Sequence, residues 1–378
     1  MKKLFTFFLF LFSISNYSQS NSLSEASKVS IITCGTGNES YSLYGHTGIR
    51  IKDSLKGIDI VYNYGAFDFQ TPNFILKFVK GDLQYFVTTN AFQDFEYTYK
   101  YENRSIYEQE LSLSLAQKQK LYQNLNSSLF SDDRFYTYKF IDRNCTTMVI
   151  DKINEILEKE IITTKKPVTI SYRDILFPHV ENHYFEKLGI NIIFGEKVDR
   201  AAETLFLPLE LHSVLKTSQY NGKQLVENNT TVFEAKKINF KPSLLNSPYL
   251  IILLLAVIVF INKKKITSFY FTIAALLGIF LCLVGFYSFH EEVLWNYNAL
   301  LFNPLLLGFV FAIHNRNAKT IITWGKVNLV CLIVHFLLII NKVDLMLFLP
   351  FTIAHFMIIS RIIMNCKKEI KSTNTIDL

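Results

Sequence analysis

Hydrophobic positions divide the chain into two parts of different character. Up to about residue 242, short apolar segments alternate with polar ones, as in a water-soluble α+β domain. Beyond that residue, apolar side chains form long runs with few charges, and most runs approach the ~20 residues that cross a bilayer. The pattern predicts a soluble domain at 21–242, a transmembrane domain of about five helices at 243–366 and a short tail at 367–378.

Five apolar runs make up the predicted all-α membrane bundle, at residues 244–261, 269–289, 295–313, 321–340 and 345–364. The first and third are short for a span, and Asn303-Pro304 within the third is compatible with a tilted or re-entrant segment. Inside the runs, His335 and His355 are better explained by packing between helices than by ligand binding.

The first 20 residues have the features of a secretory signal peptide. Lys2 and Lys3 precede the apolar stretch 4–12, and the small, polar segment 15–20 follows it. An apolar core of this length is too short to span a bilayer, so a cleaved signal is the better interpretation. The soluble domain is therefore expected in the periplasm, with the bundle as a multi-pass segment of the inner membrane and the tail in the cytoplasm.

Basic residues lie in alternate loops between the apolar runs. They occur at 263–265, at Arg316 and Lys319, and in the tail, whereas the loops at 290–292 and 341–344 have little net positive charge. The positive-inside rule places the latter two loops on the same side as the exported domain. These clusters also explain much of the +7 net charge, and no basic stripe with interleaved aromatics indicates a nucleic-acid partner.

Within the exported domain, alternation predicts strands at 29–33, 47–51, 58–64 and 81–89, and an amphipathic aromatic segment at 67–79. Helical periodicity predicts helices at 113–130, with Ser114 as its cap, and at 146–159, and a further short helix is expected at Arg173-Asp174. The spacings of His179, His183 and His212 form no metal motif, and no cofactor is indicated.

Two of the five cysteines, Cys34 and Cys145, belong to the exported domain. Two cysteines in an oxidising compartment suggest a disulfide. However, Cys145 lies at the N-terminus of the helix predicted at 146–159, whose positive end favours a thiolate with a lowered pKa and whose free N–H groups could hold an oxyanion. His46 opens a predicted strand and could be its base. The residues alone favour neither the disulfide nor the catalytic pair.

Several motifs in a fixed order resemble the Lnb family, whose members have an N-terminal periplasmic domain and a C-terminal transmembrane domain. They are TCG (33–35), YSLYGHTGIR (41–50), YNYGAFDF (62–69), FVKG (78–81) and DRNCTT (142–147), with NYN (296–298) and NPL (303–305) in the membrane half. The resemblance implies a lipoprotein N-acyltransferase. It also implies a soluble domain similar to the permuted papain-like folds of NlpC-type proteins and lecithin:retinol acyltransferase.

The resemblance also implies roles for individual residues. Cys145 would be the nucleophile and His46 its base, with Asn63 as the orienting residue and Tyr64 and Asp68 as competitors for that role. Candidate substrate-binding residues are Tyr44, Tyr64, Asn144 and His290, the last because the loop 290–298 faces the domain, although its Trp295 and Tyr297 also fit ordinary interfacial anchors.

The implied reaction transfers a fatty acyl group from a membrane phospholipid, through a thioester on Cys145, to the N-terminal amine of diacylated lipoproteins. One alternative is an envelope cysteine peptidase or amidase that acts on cell-wall peptides. The other is a non-catalytic envelope membrane protein in which Cys34 and Cys145 form a disulfide.

Overall fold

The computed structural model describes residues 22–163, 169–237 and 243–376. The predicted signal peptide, residues 1–20, lies outside these ranges. Within them, an α+β part is followed by a helical part, so the character predicted for the two halves is confirmed.

An antiparallel sheet of seven strands forms the centre of the described soluble domain. Its strands are β1 (Lys28–Cys34), β2 (His46–Asp53), β3 (Ile58–Ala66), β4 (Gln84–Ala91), β5 (Ile106–Leu111), β6 (Phe135–Thr137) and β9 (Val226–Phe233), in the order β6-β4-β3-β2-β1-β5-β9. β7 (Gln219–Tyr220) and β8 (Lys223–Gln224) form a separate hairpin. The first three strands pair in chain order, as short antiparallel connections allow.

Helices cover the sheet and its connections. They are α1 (Phe74–Lys80), α2 (Phe92–Tyr101), α3 (Leu115–Leu129), α4 (Cys145–Leu157), α5 (Tyr172–Leu176), α6 (Tyr184–Ile193) and α7 (Pro208–Leu215). Ser114 caps α3 as predicted, accepting a hydrogen bond from the Gln117 N–H within a capping box. The strand predicted at 81–89 begins only at Gln84, because Gly81 ends α1 in the left-handed conformation (φ 73°).

The two faces of the sheet bury different helices. Successive strand residues point to opposite faces, so Ile49 and Tyr62 pack with the buried stripe of α4, including Val149 and Ile153. On the other face, Cys34 and Val61 pack with Phe92 and Phe95 of α2. Each fully buried apolar side chain of this kind stabilises the fold by about 1.5–3 kcal/mol. α4 and α2 are thereby fixed on opposite sides of the strands that carry His46 and Asn63.

The membrane half contains the apolar helices α8 (Pro248–Ile261), α9 (Lys264–Tyr287), α10 (Leu306–Asn315), α11 (Ala318–Ile339) and α12 (Leu345–Ile376). Among the described residues, α9, α11 and α12 are long and apolar enough to cross a membrane, whereas α8 and α10 are shorter. At 1.5 Å per residue, a helix of 10 to 14 residues covers only part of the ~30 Å hydrocarbon core.

The third apolar run, 295–313, does not form one continuous helix. Helix α10 begins at Leu306, and two short 3-10 turns, Glu291–Val293 and Tyr297–Leu300, lie in the chain before it. This chain crosses α9 very closely, since a Cβ on Gly278 would lie 1.5 Å from the carbonyl oxygen of Phe302. The loop at membrane depth is tolerated because protein surrounds it, Asn298, Leu301 and Asn303 all being buried.

The loop between α9 and α10 contacts the soluble domain close to Cys145. Glu292 is almost fully buried, and its carboxylate accepts a hydrogen bond from the Ile141 N–H at 3.1 Å. Its carbonyl accepts another from the Gly195 N–H at 2.7 Å. Only glycine fits at position 195, where a Cβ would lie 1.9 Å from the Leu294 carbonyl oxygen. The membrane half therefore helps to fix the segment that leads into α4.

A buried ion-pair network joins the second outer loop to the same domain. Arg173 contacts Asp199 at 2.7 Å, Asp344 at 3.2 Å and the Tyr297 hydroxyl at 2.9 Å. Lys342 contacts Asp199 at 2.7 Å. Both loops that the charge pattern assigns to the outer side thus contact the exported domain, which agrees with the predicted topology.

Candidate active site

Cys145 is the first residue of α4 and is held there by its neighbour. The Asn144 side-chain oxygen accepts hydrogen bonds from the Thr146 and Thr147 N–H groups at 2.8 and 3.2 Å. The Asn144 amide donates to the carbonyls of Phe140 and Phe206 at 2.9 and 3.1 Å. Asn144, which the resemblance suggested as a substrate contact, therefore has its side chain engaged as a helix cap that positions the thiol.

His46 and Asn63 meet on the face of the sheet opposite to the α4 core. Gly48 pairs with Asn63 across β2 and β3, and His46, two residues before Gly48 in β2, points to the same face. The Nε2 of His46 lies 3.1 Å from the Asn63 side-chain oxygen. This contact is a hydrogen bond from the Nε2–H to the amide oxygen, which leaves Nδ1 of His46 as the free basic nitrogen.

Gly65 lies between the imidazole and the thiol. A Cβ built on it would lie 3.2 Å from Cε1 and 3.6 Å from Nδ1 of His46, and 3.7 Å from the Cβ of Cys145. The ring edge that carries Nδ1 and the cysteine side chain therefore border the same small space. Both residues are partly exposed. A cysteine at a helix start, near an imidazole whose other nitrogen is held by an amide, provides the residue types that nucleophilic Cys-His-Asn sites use.

The site is largely desolvated. Burial lowers the pKa of His46 to about 4; the hydrogen bond to Asn63 opposes this shift, and the Arg104 guanidinium adds to it. Burial also raises the pKa of the Cys145 thiol, although the Thr47 N–H and the Thr146 hydroxyl oppose that rise. The expectation of a thiol pKa lowered by the helix end is wrong for this state, because the loss of hydration outweighs it. At neutral pH the resting pair is a neutral thiol and a neutral imidazole.

Comparison with known families gives two matches. Residues 14–176 match the Lnb N-terminal periplasmic domain, and residues 234–373 match the Lnb transmembrane domain. The chain belongs to the Lnb family. It is accordingly a membrane protein with a periplasmic N-terminal domain, which confirms that part of the predicted location. No curated protein and no solved structure matches the chain.

The disulfide expected as an alternative in this Lnb-family domain is not formed. All five cysteines lie within the described ranges and are free. Cys34 is fully buried in the aromatic cluster under α2, and burial raises the pKa of its thiol far above the usual range. Cys34 therefore behaves as a small apolar core residue, whereas Cys145 is the partly exposed thiol.

The remaining candidates from the sequence lie away from the thiol or play other parts. Tyr64 is buried in the α4 core, on the opposite face from Asn63. Asp68 is exposed and accepts a hydrogen bond from the Gln70 N–H in a local turn. The Tyr44 ring packs against Phe140 at 5.4 Å. Of the three residues considered for orienting His46, only Asn63 has a hydrogen bond to it in the described structure.

His290 lies at the contact between the two halves rather than beside Cys145. Its Nε2 donates to the Phe78 carbonyl at 3.0 Å, and its Nδ1 lies 3.7 Å from the Glu292 carboxylate. The other histidines of the soluble domain have local contacts. His179 packs on Tyr44, and His212 stacks on Tyr107 at 4.9 Å. Among the described residues, no group of His, Cys, Asp and Glu could hold a metal ion.

Sequence reasoning missed the aromatic residues that enclose the Lnb-family site. Tyr99 of α2 stacks on His46 with ring centroids 6.3 Å apart, and the Arg104 guanidinium lies over the Tyr99 ring, 4.5 Å from its centroid. Tyr85 and Tyr138 stack at 4.3 Å, and a charge on Cys145 would raise the pKa of both hydroxyls, which places them near the thiol. The spacing of Phe92, Phe95 and Tyr99 at three to four residues was the available signal for α2.

Proposed function

We propose that the protein is a lipoprotein N-acyltransferase that uses Cys145 as nucleophile, His46 as general base and Asn63 as the orienting residue. The observation that carries the proposal is the space beside Gly65: a Cβ there would lie 3.6 Å from Nδ1 of His46 and 3.7 Å from the Cβ of Cys145, while Asn63 holds Nε2. Membership of the Lnb family supports an envelope role and is compatible with an enzyme. The proposed donor is a membrane phospholipid, and the proposed acceptor is a diacylated lipoprotein.

In the first half-reaction, Nδ1 of His46 takes the proton of the Cys145 thiol as the sulfur bonds to the ester carbonyl carbon of the donor. The resulting oxyanion faces free N–H groups at the start of α4, such as that of Cys145 itself. The ester C–O bond then breaks, and His46 returns the proton to the leaving oxygen. The products are a lysophospholipid and an acyl thioester on Cys145.

In the second half-reaction, the α-amine of the acceptor attacks the thioester carbonyl. His46 takes a proton from the attacking nitrogen, the C–S bond breaks, and the thiol regains its proton. A base with a pKa of about 4 does not deprotonate a free ammonium. It accepts a proton only from the far more acidic nitrogen of the tetrahedral intermediate, so the amine must arrive neutral.

A lipid substrate fits the position of the site better than a cell-wall peptide does. Lys139, six residues before Cys145, donates hydrogen bonds to the carbonyls of Gly81 and Phe289, and Phe289 follows the outer end of α9. The thiol therefore lies near the membrane surface, where both proposed substrates are anchored. Enclosure by Tyr85, Tyr99 and Tyr138 would also exclude the water that hydrolyses a thioester.

The test is to express Cys145→Ser in cells that lack the native activity and to read the N-terminal lipid state of a model lipoprotein by mass spectrometry. The matched control is Cys282→Ser, since Cys282 is an exposed residue of the membrane helix α9. We expect loss of the N-acyl group with the first variant alone, and a hydroxylamine-sensitive acyl adduct on Cys145 of the wild type. If the wild type adds no acyl group, the proposal fails and cell-wall peptides become the substrates to test.

A further inference from the structure

The helix α1 and the residue Phe69 before it present apolar side chains to the outside of the domain. Ile75 is 73% exposed and Leu76 59% exposed, while Phe69 and Phe78 also belong to the exposed large apolar residues. None of the seven residues of α1 is buried. An exposed apolar patch of this density on a soluble domain indicates a contact that the isolated domain does not supply.

The C-terminal end of α1 is fixed to the outer end of a membrane helix. The last carbonyls of a helix have no partner within it, and here three of them receive hydrogen bonds from the chain after α9. The Ser288 hydroxyl donates to Val79 at 2.7 Å, and the Phe289 N–H donates to Lys80 at 2.6 Å. His290 completes the set at the Phe78 carbonyl. This clamp places α1 at the level where α9 leaves the bilayer.

The surroundings of the clamp continue the same apolar surface. Phe286, Tyr287 and Phe289 at the end of α9 are exposed, as expected of side chains at the lipid boundary. Lys80 lies over the Phe289 ring at 5.3 Å, and Lys77 is on the same short helix. Lysines beside exposed aromatic and aliphatic side chains are typical of a helix that lies at the membrane interface. The aliphatic part of each lysine lies among the acyl chains, and its ammonium group reaches the lipid phosphates.

A strip of aromatic rings connects this surface with the thiol. Phe69 contacts Phe67 at 4.8 Å, and Phe67 contacts Tyr85 at 5.0 Å. Tyr85 stacks on Tyr138; Tyr85 is in the hydrophobic cluster against which both Tyr138 and Cys145 pack. Each step is an ordinary ring contact. The strip therefore leads, through two phenylalanine rings and two tyrosine rings, from the exposed side of Phe69 to the hydrophobic cluster that Cys145 packs against.

We propose that α1 and Phe69 lie in the outer leaflet of the membrane, and that the strip Phe69-Phe67-Tyr85-Tyr138 guides one fatty chain of a phospholipid to Cys145. The lipid bilayer is the proposed partner of this surface, because the clamp holds α1 at the outer end of the membrane helix α9. The membrane position of α1 is independent of the reaction, whereas the guidance of a fatty chain rests on the proposed acyl transfer.

The position of α1 is tested in full-length protein, with Cys145 and Cys282 replaced by Ser, in nanodiscs of phosphatidylethanolamine and phosphatidylglycerol. A bimane label on Ile75→Cys should be quenched by lipids with a nitroxide on the upper part of the acyl chain. The control label is on Leu55→Cys; Leu55 is similarly exposed, at 75%, but lies in the β2–β3 turn, at the opposite end of the strands from His46. Equal quenching of the two labels would overturn the membrane position.

The guidance of the fatty chain is tested with Phe69→Glu, at the exposed start of the strip, and the control Leu55→Glu, each with native cysteines. Phe69→Glu should slow acylation of Cys145 by phospholipid in the same nanodiscs, while alkylation of Cys145 by iodoacetamide stays unchanged. An unchanged acylation rate would refute the guidance and leave the quenching result standing. Absence of any acyl adduct in the wild type would refute the acyl transfer and the guidance together, whereas the bimane measurement would still decide where α1 lies.

Discussion

Gly65→Ala gives a direct test of the geometry between base and nucleophile. The new methyl group would lie 3.2 Å from Cε1 of His46 and 3.7 Å from the Cβ of Cys145. Ordinary carbon–carbon contacts are at about 3.5–4.0 Å, so the cysteine contact is comfortable and the imidazole must move away. The backbone of Gly65 is not in the left-handed region, so the substitution adds no backbone strain.

The size of the effect follows from that displacement. The imidazole must shift by about 0.3–0.8 Å to restore normal contact. Since a 1 Å misplacement of a catalytic group costs about 10²-fold in rate, the acylation rate should fall about 4- to 40-fold. The same shift strains the hydrogen bond between His46 and Asn63. The free energy of unfolding should therefore fall, but within the about 0.5–3 kcal/mol that is usual for a single substitution.

The assay is the rate of acyl-adduct formation on Cys145 in nanodiscs, with thermal unfolding measured in parallel. Gly189→Ala is the matched control, because Gly189 is in the helix α6 and a Cβ there meets no atom within 4 Å. The control should keep its rate and gain slight stability, as expected for alanine in place of glycine in a helix. A normal rate in Gly65→Ala would show that the imidazole and the thiol do not work across this space.

Three other predictions concern the base, its orientation and the contact between the halves. Because the pKa of His46 is lowered to about 4, the base stays neutral at pH 5.5, and the acylation rate there should match the rate at pH 7. The rate should fall only near pH 4, on the acid limb of the pH–rate profile. A fall near pH 6.5 would contradict the buried geometry of His46. Asn63→Ala should slow acylation about 10²-fold, because the His46 ring is no longer held in place. Asn63→Asp should keep the ring in place and raise the pKa of His46, which moves the acid limb of the pH–rate profile to higher pH. A loss of folding would not produce that shift. Arg173→Ala removes the ion-pair partner of the buried Asp344 carboxylate and should destabilise the protein by about 3–5 kcal/mol. Thermal unfolding in detergent measures this loss. The control is Arg200→Ala, because Arg200 is exposed.

Local pattern was sufficient for much of the sheet and for the element that carries the thiol. Alternation predicted β1 to β3, and the cap at Ser114 and the stripe Val149–Ile153 predicted α3 and α4, because each of these signals is contained within a few residues. The break before α10 was only hinted at by Asn303-Pro304, since its cause is the close crossing at Gly278, a contact between distant segments.

The surroundings of the candidate site were less accessible from the sequence. Motif order suggested Cys145 and His46, but the choice of Asn63 over Tyr64 depends on which face each strand residue occupies, and hence on the exact register of β2 and β3. Burial raises the pKa of the thiol, and the aromatic residues around the site, Tyr85, Tyr99 and Tyr138, come from three separate segments of the chain. No local pattern contains that information.

The hydrogen bond between the Ile141 N–H and Glu292 has a consequence for the order of biosynthesis. Ribosomes make the chain from its N-terminus, so the segment that leads into α4 exists well before the loop that holds it. Until α9 has been inserted and its outer end has appeared, Ile141 lacks this acceptor and α1 lacks its clamp at Ser288–His290. A newly exported domain would therefore have an unfinished nucleophile segment. The thiol would reach its working geometry only after it is attached to the membrane, so that soluble fragments and prematurely terminated chains would not carry an active site into the periplasm.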